Sequence, residues 1–210
     1  VRETGLSWPG DPSYRADSVP LRLAGGLHAL VLTGKDPALA AAYAAGIDPT
    51  DAALAAIQGH AGFLLDWLKS APQTNEVRRS APLIAVAQWL TARFGLPLIL
   101  SELGASAGLN LLWDHYALNL QGRTFGPDDP SLTLAPDWTG SLPPTAIPAV
   151  IDRRGVDLNP LDPVADRLRL IAYLWPDQPE RISRTRAALD LAQRQRPQID
   201  RADAADWLET

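Results

Sequence analysis

Leu96-Pro97-Leu98-Ile99-Leu100-Ser101-Glu102-Leu103-Gly104-Ala105-Ser106-Ala107-Gly108-Leu109-Asn110-Leu111-Leu112 decides how the rest of this chain is read. The apolar run Leu98 to Leu103 lies between Pro97 and Gly104, which predicts a buried parallel strand. Gly104 to Gly108 are all small, so the backbone there can turn sharply and approach another molecule closely. Leu109 to Leu112 resume an apolar pattern and open a helix. The unit is therefore strand, small-residue turn, helix. In a doubly wound sheet such a turn sits at the carboxyl end of its strand, where ligands bind.

Three readings of the turn compete. Glu102-x-Gly104-x-Ser106-x-Gly108 resembles the first motif of class I S-adenosylmethionine (SAM) methyltransferases, an acidic residue followed by alternating glycines. Ser106 stands where that family has its middle glycine. Read literally, Gly104-Ala105-Ser106-Ala107-Gly108 is also G-x-S-x-G, the nucleophile elbow of α/β-hydrolases. The third reading is a tight turn with no ligand. Short glycine patterns match by chance, so the remaining residues must arbitrate.

The 210 residues are enough to bury a core, and 46% of them are apolar with 20% charged, a globular balance. The net charge of −5 with no basic patch argues against nucleic acid as a partner. No apolar run reaches the roughly 20 residues that span a bilayer, so no membrane is expected. Cys is absent, which removes disulfides and thiolate metal sites and suits the cytoplasm. His28 and His60 lie among apolar residues and read as structural, so no metal is expected. The chain has no Met, opens at Val1 and closes on a helix start, Ala204-Ala205-Asp206-Trp207-Leu208, which suggests a piece of a longer polypeptide.

Residues 1 to 19 read as an irregular arm packed through Trp8 and Tyr14. Helical periodicity then runs from Leu21 to Val31, from Pro37 behind the N-cap Asp36, and from a start at Asp48-Pro49 or Asp51 to Leu68. Gly25-Gly26 reads as a point of close helix packing. Gln73 to Ser80 is polar. Thr74 or Asn75 can cap the helix that runs to Phe94, and the functional alternative has Asn75, Glu76 and Arg78 facing a pocket above the sheet. Ala117-Leu118-Asn119-Leu120 and Ser131-Leu132-Thr133-Leu134 alternate, predicting an antiparallel hairpin within about 117–135. A Pro-rich excursion follows, then a strand ending near Asp157, helices from Asp162 and Pro179, a weak strand at Gln198 to Ala202, and a helix after Asp203. The expected class is α/β. A helical region, 1–95, precedes a partial Rossmann-like, three-layer region with a parallel sheet, 96–210, cut short after its third strand.

The hydrolase reading needs a His after the serine, and only His115 follows, on the same predicted helix. The nucleotide reading gains Asp157 and Asp203, which with Glu102 place a carboxylate at three successive strand ends. Glu102 to Leu111, Gln73 to Arg79, Val156 to Pro160, Trp175-Pro176-Asp177 and Asp203 to Leu208 together resemble a bacterial family of unknown function, over essentially the whole chain. That family in turn resembles class I methyltransferases with a helical N-terminal extension. The resemblance implies SAM as cofactor, held by Glu102, Gly104, Ser106, Gly108 and Asn110 at its amino-acid end, by Asp157 at the ribose and by Asp203-Ala204 at the adenine. It implies a small-molecule or protein methyl acceptor and leaves the oligomeric state open. Two features depart from the pattern: the serine in the glycine slot, and a gap from Gly108 to Asp157 far longer than the roughly 20 residues of the dinucleotide fingerprint. A non-catalytic binding or scaffolding module that kept the loop is the main alternative, and a serine hydrolase using Ser106 is the second.

Overall fold

A computed structural model describes residues Val1 to Glu209. In chain order its helices are α1 (Arg2–Leu6), α2 (Val19–Leu32), α3 (Pro37–Ala45), α4 (Thr50–Gly59), α5 (Ala61–Leu68), α6 (Ser80–Phe94), α7 (Arg167–Ala172), α8 (Pro179–Gln195) and α9 (Ala204–Leu208). The strands are β1 (Leu98–Leu103), β2 (Tyr116–Leu120), β3 (Arg123–Phe125), β4 (Leu132–Leu134), β5 (Val150–Asp157) and β6 (Gln198–Arg201). Val77–Arg79 and Asn110–His115 are 3₁₀ turns. These elements fall into two compact units, Val1–Thr74 with Arg167–Ile182, and Asn75–Asp166 with the chain from Ser183 onward.

The first unit is helical, and its core joins Leu27 and Leu30 of α2 to Leu39, Ala56 and Leu64. Each leucine buried this way contributes roughly 1.5–3 kcal/mol. Local signals set the helix ends. The Asp36 carboxylate accepts from Leu39 N at 2.9 Å, Pro37 follows it, and Gly46 closes α3 in the left-handed region. Gly25 lets α2 approach Tyr173, since a Cβ there would fall 2.4 Å from the ring. The helix expected to run unbroken to Leu68 divides at His60 (φ −118°, ψ 30°), whose Nε2 lies 3.3 Å from Asp36 Oδ2. The arm before α2 also differs from expectation. Residues 2–6 are helical, and Trp8 is anchored by its Nε1 donating to Asp17 at 2.9 Å with the Arg22 guanidinium over its ring. Tyr14, expected to pack, is exposed; its hydroxyl only accepts from neighbouring Arg15.

The second unit carries a parallel three-stranded sheet in the order β1-β5-β6, so the fold is mixed α/β with a parallel sheet. Glu102 pairs with Gly155 and Leu103 with Val156, which brings the ends of β1 and β5 together. The expectation that β1 is buried throughout needs correction. It alternates instead: Leu98, Leu100 and Glu102 turn inward, while Ile99 (68% exposed), Ser101 and Leu103 turn out, on the edge of the sheet. An apolar run bounded by breakers identifies a strand, but it does not reveal which face is covered.

A second small sheet has the order β3-β2-β4. The expected antiparallel partnership of 117–120 with 131–134 is not formed. β2 pairs antiparallel with β3, through a two-residue turn at Gln121 (φ 51°) and Gly122 (φ 81°), and parallel with β4. Two consecutive positive φ values match the twist of a tight hairpin. Gly126 then crosses the Tyr116 carbonyl so closely that a Cβ would fall 2.5 Å from it, and the chain re-enters beside β2 in the same direction. The segment after the glycine turn, expected as an α-helix, is 3₁₀ with a kink at Leu112. No helix among the described residues is long and apolar enough to cross a membrane.

Candidate functional site

The small-residue loop leaves β1 at its carboxyl end and is fastened to the end of β5. Gly104 N and Ala105 N both donate to the Val156 carbonyl, at 2.8 and 3.0 Å. Gly104, Ser106 and Gly108 all have positive φ, of 69°, 56° and 71°. Positive φ is uncommon outside glycine and costs a serine about 1–2 kcal/mol. Ser106 is held there by its own backbone: its N–H donates to Asp157 Oδ2 at 2.8 Å and its carbonyl accepts from Leu161 N at 3.2 Å. Asp157 Oδ1 accepts from Asn159 N at 2.8 Å. The carboxylate at the end of the second strand therefore braces two segments of backbone.

The glycines of the loop differ in what surrounds them. A Cβ on Gly108 would fall 2.9 Å from both Pro197 and Ile199, so that glycine serves packing. A Cβ on Gly104 would meet nothing within 4 Å, so its Cα faces open space.

The far end of the loop is tied down by a polar network. Asn75 Oδ1 accepts from Leu109 N at 2.9 Å, and the Tyr116 hydroxyl donates to the Leu109 carbonyl at 2.7 Å. Ser80 Oγ donates to Asn110 Oδ1 at 2.9 Å, and Asn110 Nδ2 donates to Glu102 Oε1 at 3.4 Å. Oε2 of Glu102 is buried and has no hydrogen-bond partner. Burial pushes the Glu102 carboxyl from 4.5 up to about 7, against the opposing pull of Asn110 and Arg79, and the nearby Asp157 charge adds to the rise. The Tyr116 hydroxyl is raised by burial and by the Asp114 and Glu102 charges. This is a carboxyl poised near neutrality beside a loop of backbone amides, with one oxygen still able to accept a donor.

The structure thus gathers Asn75, Glu102, Gly104, Ser106, Gly108, Asn110 and Asp157 around one loop. Asn75 is a loop anchor rather than a helix cap. Glu76 caps the 3₁₀ turn by accepting from Arg78 N at 3.1 Å, and the Arg78 side chain is exposed. Asp203 caps α9 by accepting from Ala205 N at 2.8 Å, beside Ala204. Three contributors escaped the sequence reading. Ser80 and Tyr116 carry no motif, and Arg153 forms a two-pronged bond to Asp114 (2.7 and 2.8 Å) while also donating to the Leu111 carbonyl. That pair clamps the 3₁₀ turn to β5. An acidic residue followed at a distance by an arginine gives no periodic signal.

A positive φ at a serine suits a nucleophile elbow as well as a glycine slot. Exposure separates the two, since the elbow presents its hydroxyl at the top of the sheet. Ser106 is 3% exposed, and the downstream His115 lies with Nε2 4.0 Å from Asp114. A buried serine held by its backbone lacks the access an acyl-transfer nucleophile needs.

A family model described as "Uncharacterized protein conserved in bacteria (DUF2332)" matches residues 1–210. No curated protein and no solved structure matches the chain.

Proposed function

We propose that this chain, which belongs to that family of bacterial proteins, binds S-adenosylmethionine or a closely related nucleoside at the Gly104–Gly108 loop. The observation that carries the reading is the run of three positive-φ residues at the carboxyl end of β1, with a carboxylate on each of the two adjoining strand ends. Such a loop lets a ligand come close to the backbone, and Gly104 leaves the approach open. An amino group seated at the loop would supply the donor that Glu102 Oε2 lacks. Asp157 retains lone pairs for ribose hydroxyls after accepting its two amides. Asp203 and Ala204 open α9 and would serve the adenine edge.

The corresponding chemistry is in-line transfer of a methyl group from a sulfonium to a small-molecule or protein acceptor. The protein would contribute proximity and orientation. Glu102, which titrates near 7 before the ligand arrives, would ionise to hold the amino cation. A second reading, a non-catalytic module, is favoured by one feature: both Asp157 oxygens already brace the loop, as a purely structural turn would require. Ultraviolet cross-linking with methyl-labelled SAM, followed by peptide mapping, distinguishes the possibilities. Label within residues 102–110, displaced by S-adenosylhomocysteine, is the expected outcome. Label that the homocysteine analogue does not displace would reject the site.

A further inference from the structure

The Trp175-Pro176-Asp177 motif has no part in the loop site, yet it forms one wall of a cavity of about 560 Å³ within the helical unit. That volume lies in the range of small-molecule sites, about 300–1,000 Å³. One face of α2 supplies the floor through Leu21, Ala24, Gly25 and His28, at positions i, i+3, i+4 and i+7. The end of α3 and the turn after it supply Tyr43, Gly46, Ile47 and Pro49. The chain after α7 supplies residues 172–178, closed into a turn by Gln178 N donating to the Trp175 carbonyl at 3.0 Å.

Two properties of this lining indicate what it takes. First, large apolar groups stand at its mouth without cover: Trp175 is 49% exposed and Ile47 is also exposed. Aromatic and aliphatic groups left wet beside a concavity mark a surface that gains by covering them. Second, the charge on the lining itself is negative, although Arg181 stands at the mouth with its guanidinium donating to Gln178 Oε1 at 3.2 Å. Asp177 is the formally charged lining residue, and the lining includes no Lys or Arg. The cations nearest Tyr173 are engaged elsewhere, Arg22 with Asp17 and the Leu68 carbonyl and Arg169 with the Ala71 carbonyl. The carboxyl ends of α3 and α7, with their partial negative charge, end at the cavity wall. The positive end of α8 begins at Pro179, just past the mouth, and Asp177 precedes it with a full negative charge. Tyr43, Tyr173 and Trp175 bring aromatic rings to the lining, and a ring face attracts a cation. His28 is held by its Nδ1 donating to the Ala172 carbonyl at 3.2 Å.

We infer that this cavity is a binding site for a small organic amine, with its apolar body against Leu21, Ile47 and Leu174 and its ammonium group beside Trp175 and Asp177. The site is independent of the loop at β1. It would serve as a substrate or effector pocket for cationic metabolites with an aromatic or branched apolar tail.

The test is isothermal titration of the whole chain with phenethylamine and with 3-phenylpropanoate, which share an apolar body and differ in the sign of the head. Phenethylamine should bind at least about tenfold more tightly, as expected of a cation meeting an aromatic face and a carboxylate. Trp175→Ala should weaken the amine about tenfold. Asp177→Asn should weaken it about two- to fivefold, since that carboxylate is solvent-screened. Both positions are exposed, so each variant should keep its circular dichroism spectrum. Equal affinity for amine and acid, preference for the acid, binding of neither, or amine binding unchanged by Trp175→Ala would each overturn the inference.

Discussion

Replacing Glu102 with glutamine should change stability in a way that depends on pH, and the sign follows from burial. The carboxyl titrates near 4.5 in the unfolded chain and near 7 in the folded one, with burial as the main cause. Between those values the folded state holds a proton that the unfolded state has lost, so wild-type stability falls as pH rises through that interval. At about 1.4 kcal/mol per pH unit, the full interval amounts to an upper bound of about 3.5 kcal/mol. Glu102→Gln has no charge to bury and escapes this loss. It does place an amide near an oxygen position that has no partner, a fixed cost of roughly 1–3 kcal/mol at every pH. The pH dependence of the difference is therefore the informative quantity. Urea unfolding followed by circular dichroism, from about pH 5 to about pH 8, should show the variant gaining about 2–3 kcal/mol on the wild type, with the change centred between the two titration values. A difference that stays constant across this range would refute the claim that Glu102 is a buried, proton-holding carboxyl.

Three further outcomes are expected. Affinity for SAM should rise as pH passes about 7, because the ionised Glu102 is the form that receives an amino cation; a flat profile would remove Glu102 from the site. Ser106→Gly should leave stability within about 1 kcal/mol, as relief of the positive φ offsets added chain entropy, whereas Ser106→Val should cost more than about 2 kcal/mol; similar values for both would show that the backbone is not constrained. Gly25→Ala should destabilise the helical unit by about 1–3 kcal/mol in thermal or urea melts, because the new methyl meets the Tyr173 ring; a neutral result would mean the ring is loosely seated.

The parts of this fold that could be read from sequence are those fixed by neighbours along the chain. Asp36-Pro37 announced α3 because a cap and a preset φ act within one turn. The sequence Leu98 to Gly108 announced a strand and a small-residue loop for the same reason, and Asp157 closes β5 where a strand end was expected. What escaped depended on distant partners. Gln121-Gly122 is a tight turn only because β3 pairs back on β2. Asn75 bonds Leu109 and Ser80 bonds Asn110 across sequence separations of 34 and 30 positions, and nothing local distinguishes those side chains from a cap and a solvated serine. The cavity under Trp175 assembles from three separate segments, so its residues could be noticed only as a motif without a role.

One titration tests the loop site most directly: calorimetry of S-adenosylhomocysteine into the wild-type chain and into Gly104→Ala. Gly104 faces open space, so a methyl there disturbs the fold by only the roughly 1 kcal/mol of strain at positive φ while occupying the approach to the loop. Saturable, one-to-one binding to the wild type and a loss of at least about tenfold in the variant are expected, with both proteins folded. No binding to the folded wild type, or equal binding to both, would contradict the claim that the loop at the end of β1 is a nucleoside site.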